Sequence, residues 1–290
     1  MFKLGNCIRG SIYEVRDVEG QPINIVVAKK HESDQTFKTE KEALTALRGV
    51  DGVVQCVDVM DDNTIVMEKV PGVDLIEYVN EEGSLEEDVA KGIVRQVLLI
   101  LKRMATLGYH HGDVKPENIM YDEETDRVTL IDFDGKMTDR YVSPDGLKQG
   151  NNATEHGDMW SVGATTYSIL TSTLLFYDRS DVLAYRLRFT NRTRRILSKQ
   201  AFHFIWSLVR RHPKDRLTIE EALSHPWFTE VNIDVDSSSS DASEESDVTA
   251  PLQPPRRTPT PPVDTSSLGT GAPREYTNYL YNWCKKLCDR

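Results

Sequence analysis

His110-His111-Gly112-Asp113-Val114-Lys115-Pro116-Glu117-Asn118, followed by Asp132-Phe133-Asp134-Gly135, is the stretch on which the reading of this sequence turns. Between the two parts, Asp122 to Thr125 reads as a turn and Arg127 to Ile131 as a β-strand. That strand delivers Asp132 to a loop beside the first segment. Two carboxylates, an amide and a lysine on adjacent loops are suited to holding a divalent cation against a triphosphate. Hard oxygen donors fit Mg²⁺. A carboxylate placed off the metal can accept the proton of an attacking hydroxyl.

Upstream, the sequence is β-rich. Ile12 to Val15, Ile23 to Ala28, Val53 to Val59 and Thr64 to Glu68 are short β-branched runs separated by Gly, Pro, Asp and Asn. Among them, Phe37 to Leu47 carries apolar residues at helical spacing. From Leu85 the pattern turns helical, and Val89, Ile93, Val94, Val97, Leu98, Leu101 and Met104 trace one broad face of a long helix. Met159 to Leu170, Gln200 to Arg210 and Thr218 to Leu223 read as further helices. The expectation is an α+β, bilobal protein: a small β-rich lobe with one main helix (residues 1–68), then a larger helical lobe (residues 69–229).

Near Glu230 the composition changes. An acidic serine tract, Asp236 to Asp247, runs into a proline-rich stretch, Pro251 to Pro262. Such segments bury too little apolar surface to offset chain entropy, so residues 230–275 are expected to be a disordered linker. Residues 276–290 regain Tyr279, Leu280, Trp283 and Leu287 at helical spacing and read as a short amphipathic segment. The tail is expected to be phosphorylated or to bind partners, through its acid-flanked serines, Thr258-Pro259 and Thr260-Pro261.

The formal net charge of −11 argues against a general nucleic-acid binder. Four cysteines without a C-x-x-C pair make no disulfide framework. Residues 1–6 lack the apolar stretch of a secretory signal, and Ile93 to Ala105 is too charged to span a bilayer. An intracellular protein, cytoplasmic or nuclear, with no transmembrane segment is expected; its oligomeric state is not legible.

Two weaker signals precede the decisive stretch. Gly5 and Gly10 sit where a turn between strands lets backbone N–H groups approach phosphates. Val27-Ala28-Lys29-Lys30 ends a strand, and alternation puts Ala28 and Lys30 on one face and Lys29 on the other. A lysine turned inward needs an anion, which Glu40 on the following helix supplies.

Together these segments resemble the eukaryotic-type serine/threonine protein kinase family over about residues 4–229. His110 to Asn118 resembles its catalytic loop H-R-D-L-K-P-E-N, and Asp132-Phe133 its metal-binding D-F-G. The resemblance implies Asp113 as catalytic base and Lys115 as the serine/threonine-type lysine that stabilises the transferring phosphoryl group. It implies Asn118 and Asp132 as ligands of Mg²⁺ (or Mn²⁺). For ATP it implies Leu4, Gly5, Gly10, Ile12 and Ala28, with Lys30 on the phosphates and Glu40 as its partner. Met67 is the implied gatekeeper, Glu68 and Val70 belong to the hinge, Asp74 lies near the ribose, and Met120 completes the nucleotide site. Phe133, Thr138, Asp145, Asp158 and Arg216 carry structural or regulatory roles by the same resemblance, with Thr138 supporting Asp113 and Asp145 pairing with Arg216. Protein substrates follow, and the acidic charge with Glu117 favours basic ones.

Four positions depart from the family's pattern. Cys7 replaces the second glycine of the phosphate loop. Gly112 replaces the arginine that pairs with a phosphorylated activation loop. Between Asp132 and Asp145 lie only residues 133–144, a short segment. Asp134 stands where D-F-G has its glycine, which either hinders movement of Phe133 or adds a carboxylate near the metal. The expectation is an ATP-dependent kinase that needs no activation-loop phosphate. The alternative is a pseudokinase or scaffold working through its lobes and tail. Compact kinases with such motifs occur among large DNA viruses, which makes a host-cell location conceivable.

Overall fold

Gly10 closes the first hairpin, and the architecture grows from there. With φ of +55°, it makes the turn between β1 (Lys3–Arg9) and β2 (Ile12–Arg16), whose ends pair as Arg9 with Ile12. β3 (Pro22–Lys30) follows antiparallel. The chain then makes α1 (Asp34–Ala46), whose first turn is capped by the Ser33 hydroxyl accepting from Thr36 N–H. β4 (Cys56–Met60) and β5 (Thr64–Glu68) complete a five-stranded antiparallel sheet in the order β1-β2-β3-β5-β4. This computed structural model describes residues 2–60 and 62–228. The segments 230–275 and 276–290, with Cys284 and Cys288, lie outside the described residues.

The sheet has two differently used faces. Paired residues of antiparallel strands share a face, and β3 meets β5 as Val27 with Met67, Ala28 with Val66 and Lys29 with Ile65. Ile65 and Met67 pack with Ala43 and Leu44 of α1 in the main core. Val15, Val26, Ala28 and Val66 form a separate small cluster on the other face.

Beyond β5, residues 69–72 lead into β6 (Val73–Asp74), α2 (Leu75–Glu82) and α3 (Glu87–Thr106). α3 buries Ile93, Val94, Val97, Leu98, Leu101 and Met104, whereas Val89, expected on the same face, is exposed at its first turn. β7 (Ile119–Asp122) and β8 (Arg127–Leu130) join β6 in a small sheet that carries the two decisive loops at its edges. Val53, expected in a strand, makes only an isolated bridge to Leu130. The Val54 N–H donates to Leu130 O at 3.1 Å, which stitches the first lobe to β8.

α4 (Pro144–Gln149) precedes α5 (Glu155–Thr171), which is buried along nearly its whole length. Around it lie α6 (Arg179–Ala184), α7 (Thr193–Ile196), α8 (Lys199–Leu208) and α9 (Ile219–Leu223). A helix buried on every side belongs at the centre of a lobe, and its polar side chains are hydrogen-bonded there, as Ser161, Thr166 and Thr171 are to carbonyls one turn back. Its Gly163 lets α8 approach closely, since a Cβ there would meet Leu208 and Val209 at 2.8 Å. Among the described residues, no helix is long and apolar enough to cross a membrane.

Candidate active site

Strand parity decides which lysine enters the cleft. Lys29 shares the α1-facing side of β3 with Val27, and its side chain is almost fully buried, while Lys30 is exposed. Lys29 Nζ lies 2.6 Å from Glu40 Oε2, 2.5 Å from Asp132 Oδ1 and 3.9 Å from Asp134 Oδ2. Burial works to lower the pKa of this ammonium, but the Asp132, Glu40 and Asp134 carboxylates outweigh it and hold the group well above its ordinary 10.5. Burial likewise works to raise the Asp132 carboxyl, and the Lys29 ammonium outweighs it and keeps the group below the usual carboxylate range.

The sequence expectation is therefore corrected at three positions. Lys30 is not the inward lysine; Lys29 is. Ala28 packs with Val15, Val26 and Val66 on the far face of the sheet, and Val27 takes the cleft side. Leu4, opposite Val15 across β1 and β2, joins the Ala28 cluster as well. A one-residue shift along a strand exchanges its faces, so all three corrections concern which face of this sheet is the inner one.

Glu40 is fully buried. Its Oε1 accepts the Phe133 N–H at 3.2 Å, so the helix carboxylate also orders the segment after Asp132. Phe133 is buried and packs against the His111 ring at 4.7 Å between centroids.

Asp113 is held on all sides. The Thr138 N–H donates to its Oδ1 at 2.8 Å, and Thr138 Oγ1 to its Oδ2 at 3.2 Å. Lys115 Nζ lies 2.5 Å from Asp113 Oδ2 and 2.7 Å from Thr138 Oγ1. Burial works to lower the Lys115 pKa, but Asp113 and then Glu117 outweigh it and raise the group above its ordinary value. Asn118 spends its amide N–H on Asp113, at 2.9 Å to the backbone oxygen and 3.2 Å to Oδ2. The Ile131 N–H donates to Asn118 O at 3.1 Å and sets Asp132 beside this loop.

The loop's backbone is fixed from below by Asp158 of α5, which accepts the His111 and Gly112 N–H groups at 2.9 and 2.7 Å. Gly112 has φ of +79°, and a Cβ there would approach Ala153 to 3.1 Å, so glycine suits this site on both counts. Asn152, a residue sequence reading passed over, is buried nearby. Its amide donates to Gly112 O at 3.2 Å and Ser161 Oγ at 3.1 Å and accepts from Ser143 N–H and Oγ at 3.1 and 2.8 Å. Nothing in the local sequence marks it; only the folded arrangement brings Gly112, Ser143 and Ser161 around it.

After Asp132, whose φ is +68°, the glycine-type conformation falls on Gly135, at +76°, and not on Asp134. The Asp134 carboxylate is buried, 2.9 Å from Lys136 Nζ, and contributes to the field around Lys29. At the far end of the segment Asp145 pairs with buried Arg216, whose Nη1 also donates to His156 O at 2.8 Å. Met67 lines the cleft face of β5, and Val70 of the connecting segment packs on the same core. Glu68 Oε1 accepts from Gln55 N–H at 3.0 Å. Met120 pairs with Asp74 between β7 and β6. Asp74 caps α2 through Glu77 N–H at 2.9 Å and accepts from Arg9 Nη1 at 2.8 Å, which ties the first hairpin to the second lobe. Gly5 and Cys7 lie within β1, and Ile12 faces Lys29 across β2 and β3.

A family model described as the protein kinase domain matches residues 2–228. The chain belongs to the protein kinase family. It is 32% identical over 217 residues to the death-associated protein kinase dapk-1 of Caenorhabditis elegans, covering 67% of this chain and 15% of that protein. Identity is 31% over 219 residues with the calcium/calmodulin-dependent protein kinase type 1 of the same organism, covering 68% of this chain and 62% of the relative. With the serine/threonine-protein kinase cds1 of Schizosaccharomyces pombe it is 27% over 251 residues, covering 77% and 54%. The chain thus spans from 15% to 62% of the lengths of these three relatives.

Among solved structures, the Rad53 kinase domain and SCD2 in complex with AMPPNP superposes with a TM-score of 0.65 at 27% identity, over 81% of this chain and 91% of that one. A structure of the Rad53 kinase domain and SCD2 gives 0.68 at 26%, over 83% and 91%. The bilobal kinase fold is therefore the fold of this chain, a β-sheet lobe over a helical lobe. Within it, Lys29 of β3 and Glu40 of α1 form a buried pair.

Proposed function

We propose that the protein is an ATP-dependent serine/threonine kinase that moves the γ-phosphoryl group of ATP to Ser or Thr hydroxyls of protein substrates. One observation carries this reading: the Asp113 carboxylate is fixed by Thr138 and Lys115 at the mouth of a site that also holds Asn118, Asp132 and Lys29. Asp113 accepts the proton of the substrate hydroxyl as that oxygen bonds to the γ-phosphorus and the bond to the leaving ADP oxygen breaks. Lys115 lies beside the base, where its charge stabilises the oxygens of the transferring group. Lys29, oriented by Glu40, is the cation for the α- and β-phosphates.

The donor set fits Mg²⁺. With its N–H groups donated to Asp113, Asn118 keeps a carbonyl oxygen, and Asp132 has one carboxylate oxygen beyond the one paired with Lys29. Mg²⁺ is held by one or two protein carboxylates together with substrate phosphates, and it would supply charge neutralisation between the β- and γ-phosphates there. Glu117 Oε2 is buried without a hydrogen-bond partner, and burial pushes its carboxyl up. That unpaired oxygen beside the catalytic loop supports substrates with a basic residue near the phosphorylated hydroxyl.

The reading includes independence from activation-loop phosphorylation. Tyr141 and Ser143 are buried, and Thr138 is engaged with Asp113 and Lys115, so the hydroxyls of residues 133–144 are committed inside the fold. A phosphate-transfer assay on a mixed peptide library, comparing the full chain with Asp113→Asn, tests the proposal. Transfer to Ser and Thr peptides by the wild type only is the expected result. Nucleotide binding without any transfer would turn the reading to a scaffold.

A further inference from the structure

Glu40 has a second hydrogen-bonding partner that the kinase pattern does not call for. His31 follows Lys29 by two residues, and its side chain is 1% exposed. Its Nε2 lies 2.5 Å from Glu40 Oε2, and its Nδ1 lies 3.1 Å from Asn63 O. Each ring nitrogen therefore lies within hydrogen-bonding distance of an oxygen, and the tautomer decides which of them donates. The ring also packs edge-on against Phe37, one turn before Glu40 on α1, at 5.8 Å between centroids.

These contacts join three elements. The His31 backbone N–H donates to Asn63 O at 2.9 Å, so the end of β3 is tied to the turn before β5. Asn63 Nδ2 donates to Asp34 at 2.6 Å, so the first turn of α1 is tied to that turn as well. His31 then reaches Glu40 in the middle of α1. The same carboxylate oxygen takes Lys29 at 2.6 Å, while Lys29 is shared with Asp132 and approached by Asp134. A lysine divided among several anions is a weak anchor for this oxygen, since the Phe133 N–H takes the other one, Oε1, and a buried carboxylate losing a donor is costly.

We infer that His31 is a positioning residue: it holds Glu40, and through it α1, where Lys29 is aligned for the phosphates of the nucleotide. The inference rests on the kinase reading of the site. It places the restraint on α1 inside the β-lobe, where no modification of the activation segment is needed to set it. A histidine that merely fills space beside Phe37 has no use for either ring nitrogen, which gives the two readings different consequences.

Two variants separate them in the full chain. His31→Phe keeps an aromatic ring against Phe37 and removes both ring nitrogens; His31→Gln keeps an amide N–H for Glu40. His31→Phe should lower kcat/KM for ATP about tenfold or more, with His31→Gln recovering most of it. In a Glu40→Gln background, His31→Phe should add a further loss of less than about twofold, because the partner is already altered. Hydrogen exchange across residues 34–46 should quicken in His31→Phe and return toward wild type in His31→Gln. Equal losses in both backgrounds, or a Gln variant no better than Phe, would overturn the inference. A wild type that binds a fluorescent ATP analogue but transfers no phosphate would sink the kinase reading alone. The His31 inference would then be decided by analogue affinity and the exchange of α1.

Discussion

At the scale of single residues, the site turns on two adjacent lysines with opposite fates. Lys29 is enclosed by Glu40 and Asp132, and Lys30 points to solvent. Lys29→Met should cost about a hundredfold or more in phosphate transfer, the scale of losing a preorganised charge at the reacting group. Lys30→Met should stay within about twofold of wild type, as surface changes usually do. The reverse ranking, read from steady-state kinetics on folded variants, would show that β3 presents its other face. Sequence reading found the alternation and the need for an anion but not the face. Val27–Lys29 and Ala28–Lys30 have the same spacing, and only the pairing of Val27 with Met67 over α1 tells them apart. Asp113, Asn118, Thr138 and Asp132 were legible because they sit in short local segments whose order already implies a loop, a strand and a second loop. His31 and Asn152 were not, since their partners lie far away in sequence: Asn63 for the first, Gly112 and Ser161 for the second.

At the scale of elements, periodicity located α1, α3 and α8 because each has one apolar face. It misjudged element edges: Val89 in the first turn of α3 is exposed, and the strand run from Val53 becomes a single bridge before β4. Burial on every side leaves α5 little periodicity to read, and its polar Asp158 is the residue that fixes the catalytic loop. Burial pushes the Asp158 carboxyl up to about 7, against the opposing pull of the Gly112 and His111 N–H groups. Unfolded, the group titrates near its ordinary 3.8. The folded protein therefore binds this proton more tightly, and the group's contribution makes stability fall as pH rises through that window. Asp158→Asn cannot ionise, so its melting temperature should drop less than that of wild type between about pH 4 and about pH 7. Parallel melting curves would mean that the two N–H groups keep Asp158 ionised throughout, and that burial does not control it.

At the scale of the whole molecule, the question is what couples the catalytic loop to the segment that ends in Asp145. Where an arginine follows the loop histidine, a phosphate on that segment can make the link. Here Gly112 has no side chain to offer, and its positive φ and close approach to Ala153 both work against one. Asn152 makes the connection instead, bonded to Gly112 on one side and to Ser143 and α5 on the other. Thr138 adds a second tie from the segment to Asp113, and Arg216 anchors its end through Asp145. Each of these links is made by groups already in the chain, which is what the proposed independence from activation-loop phosphorylation rests on. On that proposal, protein made in bacteria and treated with phosphatase should retain activity within about twofold of untreated protein. Asn152→Ala should do what phosphatase does not. With four hydrogen bonds removed from a buried site, both activity and melting temperature should fall. Activity abolished by phosphatase and restored by rephosphorylation would show that a modified residue, and not Asn152, completes the link.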